Sequence, residues 1–308
     1  MLYIIVNENS RSGKGAEIWK EVKEYLEKNN VGYIAYKTER EGHAMEIAGE
    51  ICAVTGDKEF KLVAIGGDGT INETLNGITA FDRVRFGVIP TGSGNDFARG
   101  IGITGTPVEQ MERILAATGY KPMDLGRLTW KGCEKPRLFG VSAGAGLDAI
   151  VCKEILTSKL KSVLNKLHLG KLTYIIMTVK TLFTMDTVEA KVSFDGARER
   201  IYSKKIFVAG MNFKTEGGGV PMTPAADAAD GLLSFCMAYG IPKWRTFFVL
   251  PFLALGKHQG FKGVKITNCR FSEFKFSKPV VLHTDGEYLG ESDEVIFECV
   301  PGILKIMN

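Results

Sequence analysis

The six cysteines of this 308-residue chain, Cys52, Cys133, Cys152, Cys236, Cys269 and Cys299, include no C-x-x-C pair. That spacing argues against a zinc site and a disulfide framework, and scattered thiols suit a reducing cytosol. No apolar run reaches the ~20 residues that span a bilayer. The longest, Leu172–Phe183 and Thr246–Leu255, are interrupted by Lys180 and Pro251, and the second reads as a buried helix, with a membrane dip as the lesser alternative. Met1–Val6 is apolar without a basic leader, so it reads as a strand and not a signal peptide. Two nucleotide-binding motifs are missing as well. Asn7–Gly15 has Glu8 and Gly15 where a P-loop needs Gly and Ser/Thr. Gly67-x-Gly69 is followed by Asn72 where the dinucleotide fingerprint needs a third Gly.

What is present is ordinary in bulk: 45% hydrophobic and 24% charged residues, a globular composition with length for two domains. The net charge of +4 is uneven. Residues 1–125 hold 14 Lys/Arg against 18 Asp/Glu, and residues 126–308 hold 25 against 17. A surface that repels polyanions over one half does not suit nucleic acid.

The first 125 residues alternate strand and helix. Strands read at Leu2–Val6, Gly32–Lys37, Lys61–Ile65 and Arg85–Pro90. Helices read at Ala16–Asn29, His43–Val54, Ile71–Ile78 and Pro107–Thr118. This alternation implies a parallel sheet covered on both faces. From Asp124 strand-like runs dominate: Asp124–Trp130, Arg137–Ser142, Val188–Phe194, Lys205–Met211, Leu232–Tyr239, Lys265–Ser277, Val280–His283, Val295–Val300 and Ile303–Met307. Helical patterns interrupt them at Asp148–Asn165, Lys171–Met185 and Lys243–Lys257. The expected architecture is an α/β domain over 1–125, then a β-sandwich-type domain with helical insertions over 126–308. The last few residues have the option of returning to the first domain.

Two glycine loops follow apolar strands. Gly66-Gly67-Asp68-Gly69-Thr70 precedes a helix, and Pro90–Arg99 reads P-T-G-S-G-N-D-F-A-R. Ligands bind at the carboxyl ends of parallel strands, where glycine lets backbone approach phosphate and a helix start offers N–H groups. Asp68 could orient a metal or accept a proton. Taken alone, Gly66–Thr70 has a tight turn with a capping Asp as its lesser reading, and Pro90–Arg99 could equally be a capped loop.

These residues together resemble the diacylglycerol kinase catalytic-domain family: bacterial soluble lipid kinases, with sphingosine and ceramide kinases as relatives. The resemblance runs through Asn7 and Ser12–Gly15, Gly66–Glu73 and Pro90–Arg99. It continues through Asn212, Gly217–Gly219, Pro224, Ala226, Asp230–Leu233 and Thr284-Asp285-Gly286-Glu287. It implies a first domain like that of NAD kinases and phosphofructokinases, with ATP and Mg²⁺ as cofactors. ATP would contact Asn7, Thr38, Gly66, Gly67, Asp68, Gly69, Thr70, Ile71, Asn72 and Ser93, with Lys14 and Arg99 as nearby cations. Glu287 matches the catalytic base that would take the proton of an attacking lipid hydroxyl. Asp68 would act beside it at the transferred phosphate. A second Mg²⁺ is implied at Asp227, Asp230 and the Leu232 carbonyl. Asp148 matches a lipid-headgroup acid, and Asp96 is a further substrate-side candidate. Bland alternatives stand beside these roles: a helix cap for Thr38 or Asp148, a solvated turn for Asp227 and Asp230, an exposed hairpin carboxylate for Glu287.

Lys153, Lys159, Lys161, Lys166 and Lys171 alternate with apolar residues at roughly helical spacing. Such a helix can lie on anionic lipid or be an ordinary solvated face. The resulting expectation is an ATP- and Mg²⁺-dependent kinase acting on a hydroxyl of diacylglycerol or a similar lipid. Its active site would lie between the domains, and the protein would be cytoplasmic and peripheral to the membrane. Dimers among related kinases make a homodimer a further expectation. An NAD kinase-like activity on a soluble substrate, or a non-catalytic sensor on the same fold, are the alternatives.

Overall fold

The computed structural model describes residues 1–157 and 170–307. Most of the Lys153–Lys171 segment, and the second half of the helix expected over Asp148–Asn165, lie outside them. The chain divides into two compact units, residues 1–125 with 300–308, and residues 126–299.

In the first unit, β1 (Leu2–Val6), β2 (Tyr33–Lys37), β3 (Phe60–Gly66) and β4 (Val84–Pro90) are parallel in the order β4-β3-β1-β2. β1 is buried at every residue, as expected for a strand covered on both faces. One face packs on α1 (Ser10–Lys28) and, after the short α4 (Asp96–Gly100) in the chain, α5 (Pro107–Ala116), with Ile4, Ile18, Val22, Val63 and Ile114 in one cluster. The Thr106 side chain and Glu109 form a capping box that starts α5. α2 (His43–Val54) and α3 (Asp68–Gly77) approach closely, because a Cβ at Gly77 would lie 2.1 Å from the Met45 carbonyl oxygen. The C-terminal segment completes this unit. Ile306 pairs with Phe86 on β4, Met307 is buried in the same core, and the Gly302 N–H donates to Asp124 (2.7 Å).

The second unit is antiparallel. β5 (Lys121–Trp130), β6 (Arg137–Phe139) and β7 (Ser142–Gly146) come first, then β8 (Val188–Phe194), β9 (Arg200–Lys205) and β10 (Phe207–Met211). β11 (Leu233–Ala238), β12 (Val264–Cys269), β13 (Phe271–Thr284) and β14 (Glu287–Ile306) follow. The main order is β12-β11-β10-β7-β13-β14. β13 pairs with β8 over Ser272–Phe276 and with β7 over Leu282–Thr284, with irregular register between Lys275 and Val280. A strand that changes partner across such a break makes the corner of a sandwich. Phe235, Phe274 and Phe297 form the aromatic centre, 5.3–6.0 Å apart. Outside it, α6 (Leu147–Thr157), α7 (Gly170–Thr184) and α8 (Lys243–Ala254) cover β10 and β11 through a core rich in methionine.

Several elements depart from the sequence expectations: β9 falls where no strand was read, and β13 joins Val280–His283 to the run before it. β7 reads S-A-G-A-G and carries no strand signal of its own. β14 is one strand of 20 residues where two shorter ones were expected. α8 is not the buried helix expected over Thr246–Leu255: Thr246 is buried, but Phe247, Phe248, Phe252 and Leu255 are exposed. Its apolar content surrounds the helix, so periodicity alone could not assign an inward face. No disulfide joins the six cysteines, and burial pushes the Cys236 and Cys269 thiols up to about 12, which makes them inert packing groups. No described helix is long and apolar enough to cross a membrane.

Candidate active site

In the first unit the loops after β1, β3 and β4 are tied to one another. The Asn7 side chain donates to Thr70 Oγ1 (3.0 Å). Ser10 and Thr91 share a hydroxyl–hydroxyl bond of 2.6 Å. The Thr91 N–H donates to the Gly66 carbonyl (2.9 Å). Asp68 Oδ1 accepts the Phe97 N–H (3.0 Å), which fixes the carboxylate against the third loop. Backbone approach is the reason for glycine here: a Cβ at Gly92 would lie 3.2 Å from the Gly67 Cα, and one at Gly94 3.2 Å from Asp68 Oδ2. No side chain caps α3, so its first turn presents N–H groups beyond the helix's own ladder, the usual anion site. Arg11, Ser12 and Gly13 all have positive φ, a sharp left-handed kink inside the first turn of α1.

The expected ATP contacts fall into two groups. Asn7, Thr38, Gly67, Asp68 and Gly69 are half-buried and Ser93 is exposed at its loop tip. Gly66, Thr70, Ile71 and Asn72 are buried, and Asn72 accepts from Asn76 (3.3 Å). Thr38 directly follows β2, its N–H on the Val6 carbonyl (2.9 Å). Asp96 is buried and paired with Arg99, which also donates to the Gly94 carbonyl (2.5 Å). Arg99 thus clamps its own loop, whereas Lys14 is exposed.

In the second unit Glu287 opens β14, half-buried, opposite Thr284. Asp285 (φ 48°) and Gly286 (φ 87°) make the tight turn before it, the left-handed pair that suits a two-residue hairpin. Asp285 is the anchor that sequence reasoning left without a role. Its Oδ2 accepts the Gly140 N–H (2.9 Å), and its Oδ1 those of Val141 (2.8 Å) and Ser142 (3.0 Å). Asp285→Asn would point an amide donor at a backbone N–H. We expect a loss of about 1–3 kcal/mol in urea unfolding and a ~10-fold drop in turnover as the Glu287 turn loosens; unchanged stability would remove the anchor role.

One turn earlier, His283 is buried and its Nε2 lies 3.0 Å from Asp148 Oδ2. Gly144 makes the room: a Cβ there would meet Asp148 Oδ2 at 2.1 Å and His283 Nε2 at 2.6 Å. Asp148 therefore serves this pair from the first turn of α6. Burial alone would lower the His283 pKa. The hydrogen bond and charge of Asp148, with Glu216 and Asp285 behind, outweigh it and hold the pKa above the ordinary value. A raised folded pKa stabilises the protein below the unfolded value near ~6.5, and that gain is lost as pH rises through the folded value. The stability gap between the protein and its His283→Gln variant should therefore be largest near pH 6 and shrink with rising pH. A gap that grows with pH would contradict a protonated His283.

Beside Asp148 lies an apolar cavity of about 390 Å³, walled by α6, α7, β10 and α8 and by the 216–222 loop. Asp148 and Glu216 are the carboxylates in its lining, among Val151, Phe207, Met222 and Leu250.

Asp227 and Asp230 are exposed. Each accepts the N–H two residues ahead, at Ala229 (3.1 Å) and Leu232 (2.9 Å). Two carboxylates and a carbonyl on an open turn are hard oxygen donors of the kind Mg²⁺ takes, with access for the waters it retains. Among the described residues no group of three or more His, Cys, Asp or Glu gathers as a metal cluster.

A parallel sheet with linked phosphate-type loops at its strand ends, and an antiparallel unit bearing an anchored carboxylate, define a phosphotransferase class. The diacylglycerol kinase catalytic domain matches residues 1–128, and the YegS C-terminal NAD kinase beta sandwich-like domain matches residues 141–308. The chain belongs to this family of diacylglycerol kinase-like lipid kinases. It is 27% identical over 290 residues to the YtlR protein of Bacillus subtilis (strain 168), covering 94% of this chain and 93% of that one. It is 28% identical over 275 residues to a diacylglycerol kinase of the same organism, covering 85% and 86%. A crystal structure of a diacylglycerol kinase from Bacillus anthracis str. Sterne superposes with a TM-score of 0.67 at 17% identity, covering 99% and 96%, a likeness of fold.

Proposed function

We propose that this lipid kinase transfers the γ-phosphoryl group of ATP, in a Mg²⁺-dependent reaction, to the hydroxyl of a diacylglycerol or similar lipid. The observation that carries the nucleotide half is the set of bonds joining the three strand-end loops around Asp68. Backbone N–H groups at Gly66–Thr70 hold phosphate oxygens, and Asn7, Thr38 and Ser93 border the nucleotide. Bound magnesium supplies charge neutralisation, for which Asp68 is the carboxylate at the phosphates and Asp227, Asp230 and the Leu232 carbonyl the second donor set. Glu287 takes the acceptor's proton. The apolar cavity beside Asp148 supports a lipid acceptor: it fits an acyl chain, and Asp148 fits a polar headgroup at its rim. Asp96, tied up with Arg99, shapes the loop. The partner is a lipid at an anionic membrane surface, met peripherally, with a homodimer as the assembly state.

The test is incubation with radiolabelled ATP and mixed micelles of diacylglycerol, monoacylglycerol, sphingosine and ceramide, with and without EDTA. Labelled lipid from diacylglycerol, lost with EDTA, is expected. Label only in another class would reassign the acceptor, and no label in any lipid would overturn the reading.

A further inference from the structure

α8 is turned the wrong way for a helix of an isolated soluble unit. Trp244, Phe248, Phe252 and Leu255 are 54%, 62%, 43% and 69% exposed. Their spacing of four, four and three places them on one stripe. Its rings meet in two groups: Trp244 and Phe248 lie 6.4 Å apart and Phe248 and Phe247 5.5 Å, while Phe252 meets Phe261 at 4.9 Å. Phe247 reaches exposed Phe183 on α7 at 6.1 Å. An apolar surface built from one aromatic stripe across two helices marks an interaction site.

Its rim identifies the occupant. From Gly231 to Ser272 the chain has no Asp or Glu, but six cations: Lys243, Arg245, Lys257, Lys262, Lys265 and Arg270. Three of these are exposed and adjoin the stripe in the chain: Arg245 beside Trp244, Lys257 after Leu255, and Lys262 after Phe261. Arg245 stacks over the Trp244 ring at 5.1 Å. A second copy of the same face would set these cations against one another. An anionic bilayer meets both features, taking aromatic rings at the acyl boundary and cations among its headgroups. The opposite side of α8 points the same way, since Leu250 and Leu253 wall the apolar cavity.

We propose that the Trp244–Phe248–Phe252–Leu255 stripe is a membrane-docking face that seats in the interface of an anionic bilayer. It would place the cavity at the depth from which an acyl chain enters. The docking follows from the stripe and its rim, and the entry role rests on the lipid-acceptor reading above.

The experiment uses vesicles of phosphatidylcholine and phosphatidylglycerol that carry no acceptor lipid, so failure of the diacylglycerol reading would leave its result intact. The protein should sediment with them, Trp244 emission should shift to the blue, and brominated lipid should quench it. Phe248→Asp/Phe252→Asp, both outside the cavity lining, should bind at least ~10-fold more weakly, and raising the salt to 1 M should weaken the wild type. A short-chain, monomeric diacylglycerol should be phosphorylated equally by both proteins, while phosphorylation in vesicles falls in the variant. Equal vesicle binding, or unaltered Trp244 emission, would overturn the proposal. So would equal losses on short-chain and vesicle acceptors, or a wild-type dimer in sedimentation that the same substitutions dissociate.

Discussion

Glu287→Gln should lower turnover by at least ~100-fold, within the range for a lost general base, while stability and ATP binding stay near those of the parent. Gln has the shape of Glu and can accept a hydrogen bond, but it cannot take a proton from the attacking hydroxyl. Its backbone position is set elsewhere, by the Asp285 carboxylate and three N–H groups of residues 140–142, so the substitution leaves the turn in place. Single-turnover transfer from prebound ATP reads the effect, because it isolates chemistry from product release. Equal single-turnover rates would remove Glu287 from the mechanism. The comparison with Asp285→Asn is informative: loss of the base spares stability, whereas loss of the anchor reduces both.

Asp68→Asn is expected to cost ~10²–10³-fold in turnover, the scale for removing one preorganised electrostatic group. The asparagine oxygen can still accept the Phe97 N–H that Asp68 Oδ1 takes at 3.0 Å, so the loop contact survives and the negative charge does not. Losing an acid from the first turn of α3 should lower stability by only about 0.3–1 kcal/mol. If Asp68 helps hold magnesium, the variant should also need more Mg²⁺ for half-maximal rate. Turnover measured across a Mg²⁺ titration checks both points, and wild-type rate at saturating Mg²⁺ would sink the assignment.

Much of the first unit was legible because its physics is local. Strands buried on both faces are apolar almost throughout, as β1 is and as β3 is apart from Lys61, and Ile18, Val22 and Leu26 mark the inward face of α1 by period alone. Glycines at strand ends announced the loops, since the constraint they satisfy is close backbone approach. The second unit was less legible because its constraints are long-range. β7 has glycine at residue 144 not for its own backbone but because His283 and Asp148 meet in the space a Cβ would fill. Asp285 stood within a recognised T-D-G-E string, yet its partners lie more than 140 residues away. α8 misled for a different reason. An aromatic-rich helix has the same composition whether its rings face a protein core or a membrane, and only its surroundings distinguish the two.

The C-terminal segment of the first unit also bears on how the protein is made. Residues 1–125 emerge from the ribosome first, but their sheet lacks its Ile306–Phe86 pairing, the Asp124 acceptor lacks Gly302, and the core lacks Met307. All of residues 126–299 must be synthesised before that segment exists. At ~5–20 residues per second this is a delay of roughly 10–35 s, during which the β4 edge is open. The first unit is therefore begun first and finished last. A ribosome that stops short releases a chain whose first unit, and not only its second, is incomplete.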